Sequence, residues 1–422
     1  MTFGFVGRED ADDARRWTTT IPPEGIKAPQ AGYQYWPPIL DPGTEADGMR
    51  EQEGGIQITP RSSRLAIALS GLALLLFAAS PADAARSNFA GIAQGAPLDG
   101  QDLQGMAAAS VGMDRFLLSW ASVEQTQDSF RWGRTDNVVG SLAAHGIRPF
   151  PFVWGSPWWV RPGPSRPPVG GSFAEQQWTS FLRAAVARYG PGGSYWANVY
   201  HQRYPNAAAL PIHSWQIWNE PNSTAYFDPG QTVGHAARLY ARLLAISHDA
   251  IKSRDPRARI VLAGLLSNAT SPASSFLNGL YTLSGFKGDF DVAALHPYAR
   301  GLTYFQQSIK QFRGVMAYHG DAATPLWLTE LGWGSAPPDG SGYNKGPSGQ
   351  RQMLIDSFQL VLSHRAAWNV ARLFWYLWRD PAPGSRYANL CPWCASGGLL
   401  YYSRARKGSY YAFKYFAAQT TP

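Results

Sequence analysis

Eight short apolar runs, separated by stretches of helical period, constrain this chain more than any other feature. The runs are Phe89–Ile92, Asp114–Ser119, Arg148–Val153, His213–Asn219, Arg259–Ala263, Val292–His296, Leu326–Thr329 and Leu373–Trp378. Several are near-continuously apolar, as strands are when both faces of a parallel sheet are covered. Helical patterns fall between them at Phe173–Tyr189, Val233–Ser253 and Arg351–His364. In the second, Ala237, Tyr240, Leu244 and Ile251 share one face, and Asp255-Pro256 stops the helix. Eight strands with interposed helices over roughly 330 residues predict an α/β fold, a (β/α)8 TIM barrel with long βα loops, in one catalytic domain over residues 85–422. The alternative is an open doubly wound sheet. That fold announces itself with a Gly-rich first turn, and no G-x-G-x-x-G is present, nor any repeat of solenoid length.

The chain of 422 residues is long enough to bury a large core. Its aromatic content is high, with 17 Trp, 20 Tyr and 20 Phe, rings that either pack a core or stack on sugar faces. The formal charge is +8, yet residues 1–60 hold five Lys/Arg against ten Asp/Glu, so the excess of positive charge lies in the rest. A solvated Arg-rich surface accounts for it. No Lys/Arg run marks a nucleic-acid stripe, and no nucleic-acid partner is expected.

Residues 61–86, RSSRLAIALSGLALLLFAASPADAAR, have the order of a secretory signal. Arg61 and Arg64 form a basic start, Leu65 to Ala79 an apolar stretch too short for a comfortable membrane span, and Ala82-Asp83-Ala84 a cleavage site. Residues 61–84 are therefore read as a signal peptide, and residues 1–60 as a disordered polar extension, consistent with an upstream start chosen in error and a true start near Met49. The body is expected to be secreted, without stable membrane insertion after cleavage. A cytoplasmic tail with an uncleaved anchor at 65–79 is the rival. Two cysteines, Cys391 and Cys394, sit in CPWC within a late Gly/Pro-rich loop, where an exported chain forms a tight disulfide. A redox C-x-x-C would instead open a helix after an early strand. Two cysteines alone do not build a zinc site.

In a TIM barrel, the C-terminal strand ends face the active site. Glu220, in WQIWNEPN, ends the fourth run, and Glu330, in PLWLTELGW, ends the seventh. Two facing carboxylates are what retaining glycoside hydrolysis requires, one donating a proton to the leaving oxygen and the other attacking the anomeric carbon. WNEPN followed by TELGW resembles the clan A retaining glycoside hydrolases, and RYGPGGSYW with WQIWNEPN is similar to bacterial proteins near glycoside hydrolase family 39. The resemblance covers about residues 88 to 418.

The resemblance implies Glu220 as acid/base and Glu330 as nucleophile. It implies Asn219 on the sugar 2-hydroxyl, His296 and Tyr298 (in HPY) lining the site, and the Tyr298 hydroxyl holding the nucleophile. Arg115, in MDRFLLSW, would support that nucleophile, though a buried ion pair elsewhere is as compatible with the sequence. LFWYLWRD resembles the eighth strand, with Trp378, or else Trp375, under the reacting sugar. Trp154, with Trp158 and Trp159 in VWGSPWWV, is a further sugar-stacking candidate, a hydrophobic lid being the alternative for that cluster. The expected function is cleavage of β-linked oligo- or polysaccharide through a glycosyl-enzyme. No cofactor and no metal are expected, the partner is a carbohydrate, and a monomer is expected. A transglycosylase with the same residues, a non-catalytic carbohydrate-binding barrel, and a thiol oxidoreductase built on the two cysteines are the alternatives. Family 39 xylosidases carry an added β-rich domain, whereas this chain ends on YYAFKYFAAQTTP, which reads as a last helix and a short tail.

Overall fold

The structure is a computed structural model, and it describes residues 89–230, 235–267 and 273–419. The extension expected at 1–60 and the signal peptide expected at 61–84 lie outside the described residues.

The described residues form nine strands: β1 (Ala90–Ala93), β2 (Met113–Ser119), β3 (Arg148–Trp154), β4 (Ser214–Ile217), β5 (Arg259–Val261), β6 (Leu265–Ser267), β7 (Ala293–Pro297), β8 (Leu326–Leu331) and β9 (Val370–Trp375). All pair in parallel, in the order β5-β4-β3-β2-β1-β9-β8-β7-β6. Val261 also bridges Val292 in parallel, and the Leu262 amide donates to the Val292 carbonyl, so the sheet closes on itself. β5 and β6 are thus two halves of one barrel strand, interrupted at 262–264. Every run expected from the sequence overlaps a strand; the split of the fifth was not expected.

Gly264 lies in this interruption, and a Cβ there would overlap Nε2 of His296. The break brings bare backbone beside an inward-facing imidazole, where an ordinary residue does not fit.

Helices follow the strands and cover the sheet. Ser172–Tyr189 buries Trp178, Phe181, Leu182 and Val186, and Ala236–Lys252 buries Tyr240, Leu243, Leu244 and Ile251. Period-2 alternation along β9 separates two cores. Leu373 and Trp375 face the helix layer, whereas Phe374 and Tyr376 join Met113, Phe150, Val261, Ala294 and Trp327 inside the barrel.

Candidate active site

Glu220 reaches the barrel mouth through an unusual backbone. β4 stops at Ile217, and the next turn puts Trp218 at φ +73° and Glu220 at φ +41°, a left-handed region that disfavours non-glycine residues. Such strain persists only where packing over-determines it. Here the Trp218 ring is wholly buried among Trp154, Trp178 and Phe227, and its indole N–H donates to the Tyr226 carbonyl at 2.7 Å. The Glu220 carbonyl accepts from the Ser223 amide at 2.8 Å. The side chain is thereby turned inward, 4% exposed.

Glu330 is re-aimed by a different device. Trp327 faces the barrel interior, and the buried Thr329 hydroxyl lies 3.4 Å from the inward amide of Gln216, so alternation would turn Glu330 outward. The pairing of β8 with β9 slips between Leu328 and Leu331, and this irregularity delivers the carboxylate to the mouth. There Oε1 accepts from Arg115 at 2.5 Å and Oε2 from the Tyr298 hydroxyl at 2.6 Å. Arg115 is fixed in turn: it donates to Gln216 (2.5 Å) and to Asn219 Oδ1 (2.7 Å), and its guanidinium lies 4.1 Å from the Phe152 ring centre. With its oxygen so occupied, Asn219 has its amide N–H groups to offer to a ligand.

The two carboxylates face each other. One ligand-capable atom from each of Glu220, His296 and Glu330 lies within 4.8 Å of the others. His296 Nδ1 is 2.7 Å from Glu220 Oε1 and 3.7 Å from Glu330 Oε2. Burial, and then the charge of Glu330, raise the Glu220 pKa well above the ordinary carboxyl range, with Arg115 opposing. Burial, helped by Arg115, holds His296 far below its usual value, so the imidazole is neutral. Burial and Glu330 keep Tyr298 a phenol that donates. Glu220 is thus the proton-holding member of the pair, and Glu330 the member with a formal cation against it. The same three groups have a spacing that suits a metal. His296 Nδ1, Glu220 Oε1 and both Glu330 oxygens are already hydrogen-bonded, however, and the Arg115 guanidinium supplies the positive charge beside Glu330.

Asn219, His296, Tyr298 and Arg115 therefore converge on the glutamate pair. The tryptophans do not, and this corrects the sequence reading. Trp375 lies on the outer face of β9, packed on Trp333, with its indole N–H on the Gly397 carbonyl at 3.1 Å. Trp378 lies beyond the strand, 1% exposed, against Tyr410 of the last helix and close to Gly105. Trp154 is 1% exposed, beneath the turn after Glu220, with its N–H on the Tyr226 carbonyl. Trp159 caps Trp120 and Phe173, and Trp158 alone of that cluster is exposed.

Tyr376 is inward instead: it clusters with Tyr298, whose hydroxyl holds Glu330, and burial, then the charges of Glu330 and Glu220, raise its pKa. Trp393, the tryptophan of CPWC, packs on Tyr298 (5.6 Å between ring centres) and on Tyr376 (5.7 Å). Cys391 and Cys394 are disulfide-bonded and buried, so this loop is a structural clip over the site. Parity from Phe374 would have found Tyr376; nothing local marks Trp393 or Gln216 as neighbours of the carboxylates.

Comparison with known proteins agrees with this fold. Residues 190–391 match the family model of the glycosyl hydrolase catalytic core. Among solved structures, a family 39 glycoside hydrolase from Bacteroides cellulosilyticus WH2 superposes with a TM-score of 0.58 at 17% identity, covering 80% of this chain and 65% of that one. A monomeric β-xylosidase from Caulobacter crescentus CB15 gives 0.54 at 16% identity, covering 79% and 70%. Xylanase 10B from Thermotoga maritima gives 0.55 at 13% identity, covering 79% and 95%. The chain thus spans about two thirds of the length of the first of these. No curated protein sequence is significantly similar to it. The fold is that of the TIM-barrel glycoside hydrolases, and the family match over residues 190–391 is to a glycosyl hydrolase catalytic core. In this chain, Glu220 follows the fourth barrel strand and Glu330 lies at the end of the seventh.

Proposed function

We propose that the protein hydrolyses β-linked glycosides with retention of configuration, through a covalent glycosyl-enzyme. The observation that supports this is the approach of Glu220 and Glu330 to within 4.8 Å. Retaining enzymes hold their carboxyl groups about 5–5.5 Å apart, whereas inverting ones need about 6.5–9.5 Å to admit a water. Glu330, oriented by Arg115 and Tyr298, attacks the anomeric carbon as Glu220 passes its proton to the departing oxygen. Ester formation removes the Glu330 charge, one of the causes that raise the Glu220 pKa. Glu220 then takes a proton from water, which cleaves the ester and restores both groups. The Asn219 amide donates to the sugar 2-hydroxyl in both steps. Export belongs to the same proposal: the signal at 61–84 leads the body into an oxidising compartment, where a Cys391–Cys394 bond persists. N-terminal sequencing of the secreted protein tests that part.

The central test is a screen of aryl glycosides and unactivated polysaccharides with the wild type, Glu220→Ala and Glu330→Ala. Azide is expected to rescue Glu330→Ala on an activated aryl glycoside, giving a glycosyl azide of inverted configuration. Full activity of Glu220→Ala on unactivated polysaccharide would overturn the assignment.

A further inference from the structure

A second cavity opens at the same end of the barrel as the glutamates. It is built by the loop after β1 (Gln94 to Asp99), the loop after β9 (Leu377 to Ala382), Ser385, Tyr387 and the turn at Tyr402 to Arg404. Its volume is about 570 Å³, well within the range of small-molecule sites. Gly95 lines it beside Leu377 and Tyr376. A Cβ at Gly95 would lie 2.5 Å from the Tyr376 hydroxyl, and Tyr376 shares one buried cluster with Tyr298, the phenol bonded to Glu330.

The wall is charged in composition but neutral in effect. Arg379 donates to both oxygens of Asp102 at 2.8 Å, Arg404 pairs with Asp99, and Lys407, behind the wall, pairs with Asp380 at 2.7 Å. No cation in this set is left over for an acidic ligand. Tyr402 offers the flat surface: it is 50% exposed, and the Arg379 guanidinium lies 5.8 Å from its ring centre. The tip that carries it is held by the Arg404 amide on the Tyr401 carbonyl and the Tyr401 amide on the Ala405 carbonyl.

Resting on the glycosidase reading, we propose that this cavity is a second sugar subsite. It takes a neutral pyranose linked to the sugar at the glutamates, with Tyr402 as its stacking surface, so the substrate is a neutral oligo- or polysaccharide rather than a single glycoside.

The test uses the full chain. The ratio of kcat/KM on xylotetraose, cellotetraose and mannotetraose to that on the matching p-nitrophenyl monosaccharides is measured for the wild type, Tyr402→Ala and Ala382→Trp, which fills the cavity. For the sugar that is turned over, both variants are expected to lower the ratio about tenfold. Calorimetric binding of the same tetraoses and of tetragalacturonate to Glu330→Gln, with and without Tyr402→Ala, gives a readout independent of turnover. A neutral tetraose that loses about tenfold in affinity through Tyr402→Ala supports the subsite. An unchanged ratio together with unchanged tetraose binding overturns it, as does preferred binding of tetragalacturonate. Absence of any glycosidase turnover overturns the reading beneath it instead, and the binding arm still decides the subsite.

Discussion

The two ends of the barrel are lined by the same strands and have opposite chemistry. Toward the N-terminal end, β2, β3, β8 and β9 point Met113, Phe150, Trp327 and Phe374 at one another. Phe150 meets Trp327 at 5.0 Å and Phe374 at 5.6 Å between ring centres, and the Arg372 guanidinium lies 4.6 Å from the Trp327 ring centre. One inward position further along β2, the residue is Arg115; the β4 equivalent is Gln216, and the β7 one His296. One end removes apolar surface from water, which stabilises. The other buries ionisable groups whose desolvation is offset only by one another. The difference teaches that in this fold stability and chemistry are separated by a few ångströms along the same strands, so substitutions at either end should report on one property alone.

Glu330→Gln should show the largest effect, a loss of roughly 10⁴-fold or more in kcat on a neutral glycan with little change in Tm. It also removes the negative charge that helps raise the Glu220 pKa, so the carboxyl of Glu220, followed by infrared or ¹³C NMR titration, should lose its proton at lower pH than in the wild type. A Glu220 titration that does not move would mean the two groups are not electrostatically coupled. At the other end, Trp327→Ala should cost about 3–5 kcal/mol of stability in denaturant unfolding. Its turnover per folded molecule should stay near that of the wild type, and a large loss of kcat would break the contrast between the ends.

The Cys391–Cys394 clip belongs to the upper end but acts through packing. Replacing both cysteines by serine should remove about 2 kcal/mol of stability, the amount expected for so short a loop. Because Trp393 in that loop packs on Tyr298, which holds Glu330, kcat/KM should fall as well, by less than about tenfold. Complete loss of turnover in a folded double variant would instead favour thiol chemistry.

The strands were legible because each is a short apolar run between breakers, and the glutamates because a carboxylate at the end of such a run has few structural reasons to be there. Arg115, His296 and Tyr298 were legible only through resemblance, since each is equally compatible with a buried core pair. Trp375 was misplaced because motif similarity does not fix which face of a strand a residue occupies, Phe374 and Tyr376 taking the inner face; Trp378 was misplaced because it lies beyond the strand's end, where alternation no longer sets its direction. Trp393 and Gln216 were missed for a different reason. Their relation to the site comes from closure of the barrel and folding-back of a loop, and no local pattern encodes either. The split of the fifth barrel strand was hidden by the apolar continuity of 260–266, which reads as one strand.

Asp114 is a buried ionisable group that the upper-end network leaves out, and it gives the smallest and most specific test of the contrast. It sits between Met113 and Arg115 on β2, so alternation turns it to the outer face of the sheet, away from the glutamates. It is wholly buried, and neither carboxylate oxygen has a hydrogen-bond partner among the described residues. Burial raises its pKa well above the usual value, with Arg115 opposing. A folded-state pKa above the unfolded one makes protonated Asp114 the form the fold tolerates. Its contribution is fully present below the unfolded pKa of about 3.9, and it is lost as pH rises from there toward the folded value. Asp114→Asn keeps the shape and removes this dependence. Its Tm should match that of the wild type near pH 3.5 and exceed it by a few degrees at pH 7, with kcat unaffected. A Tm difference that is constant with pH would mean that Asp114 carries no charge penalty in the folded protein.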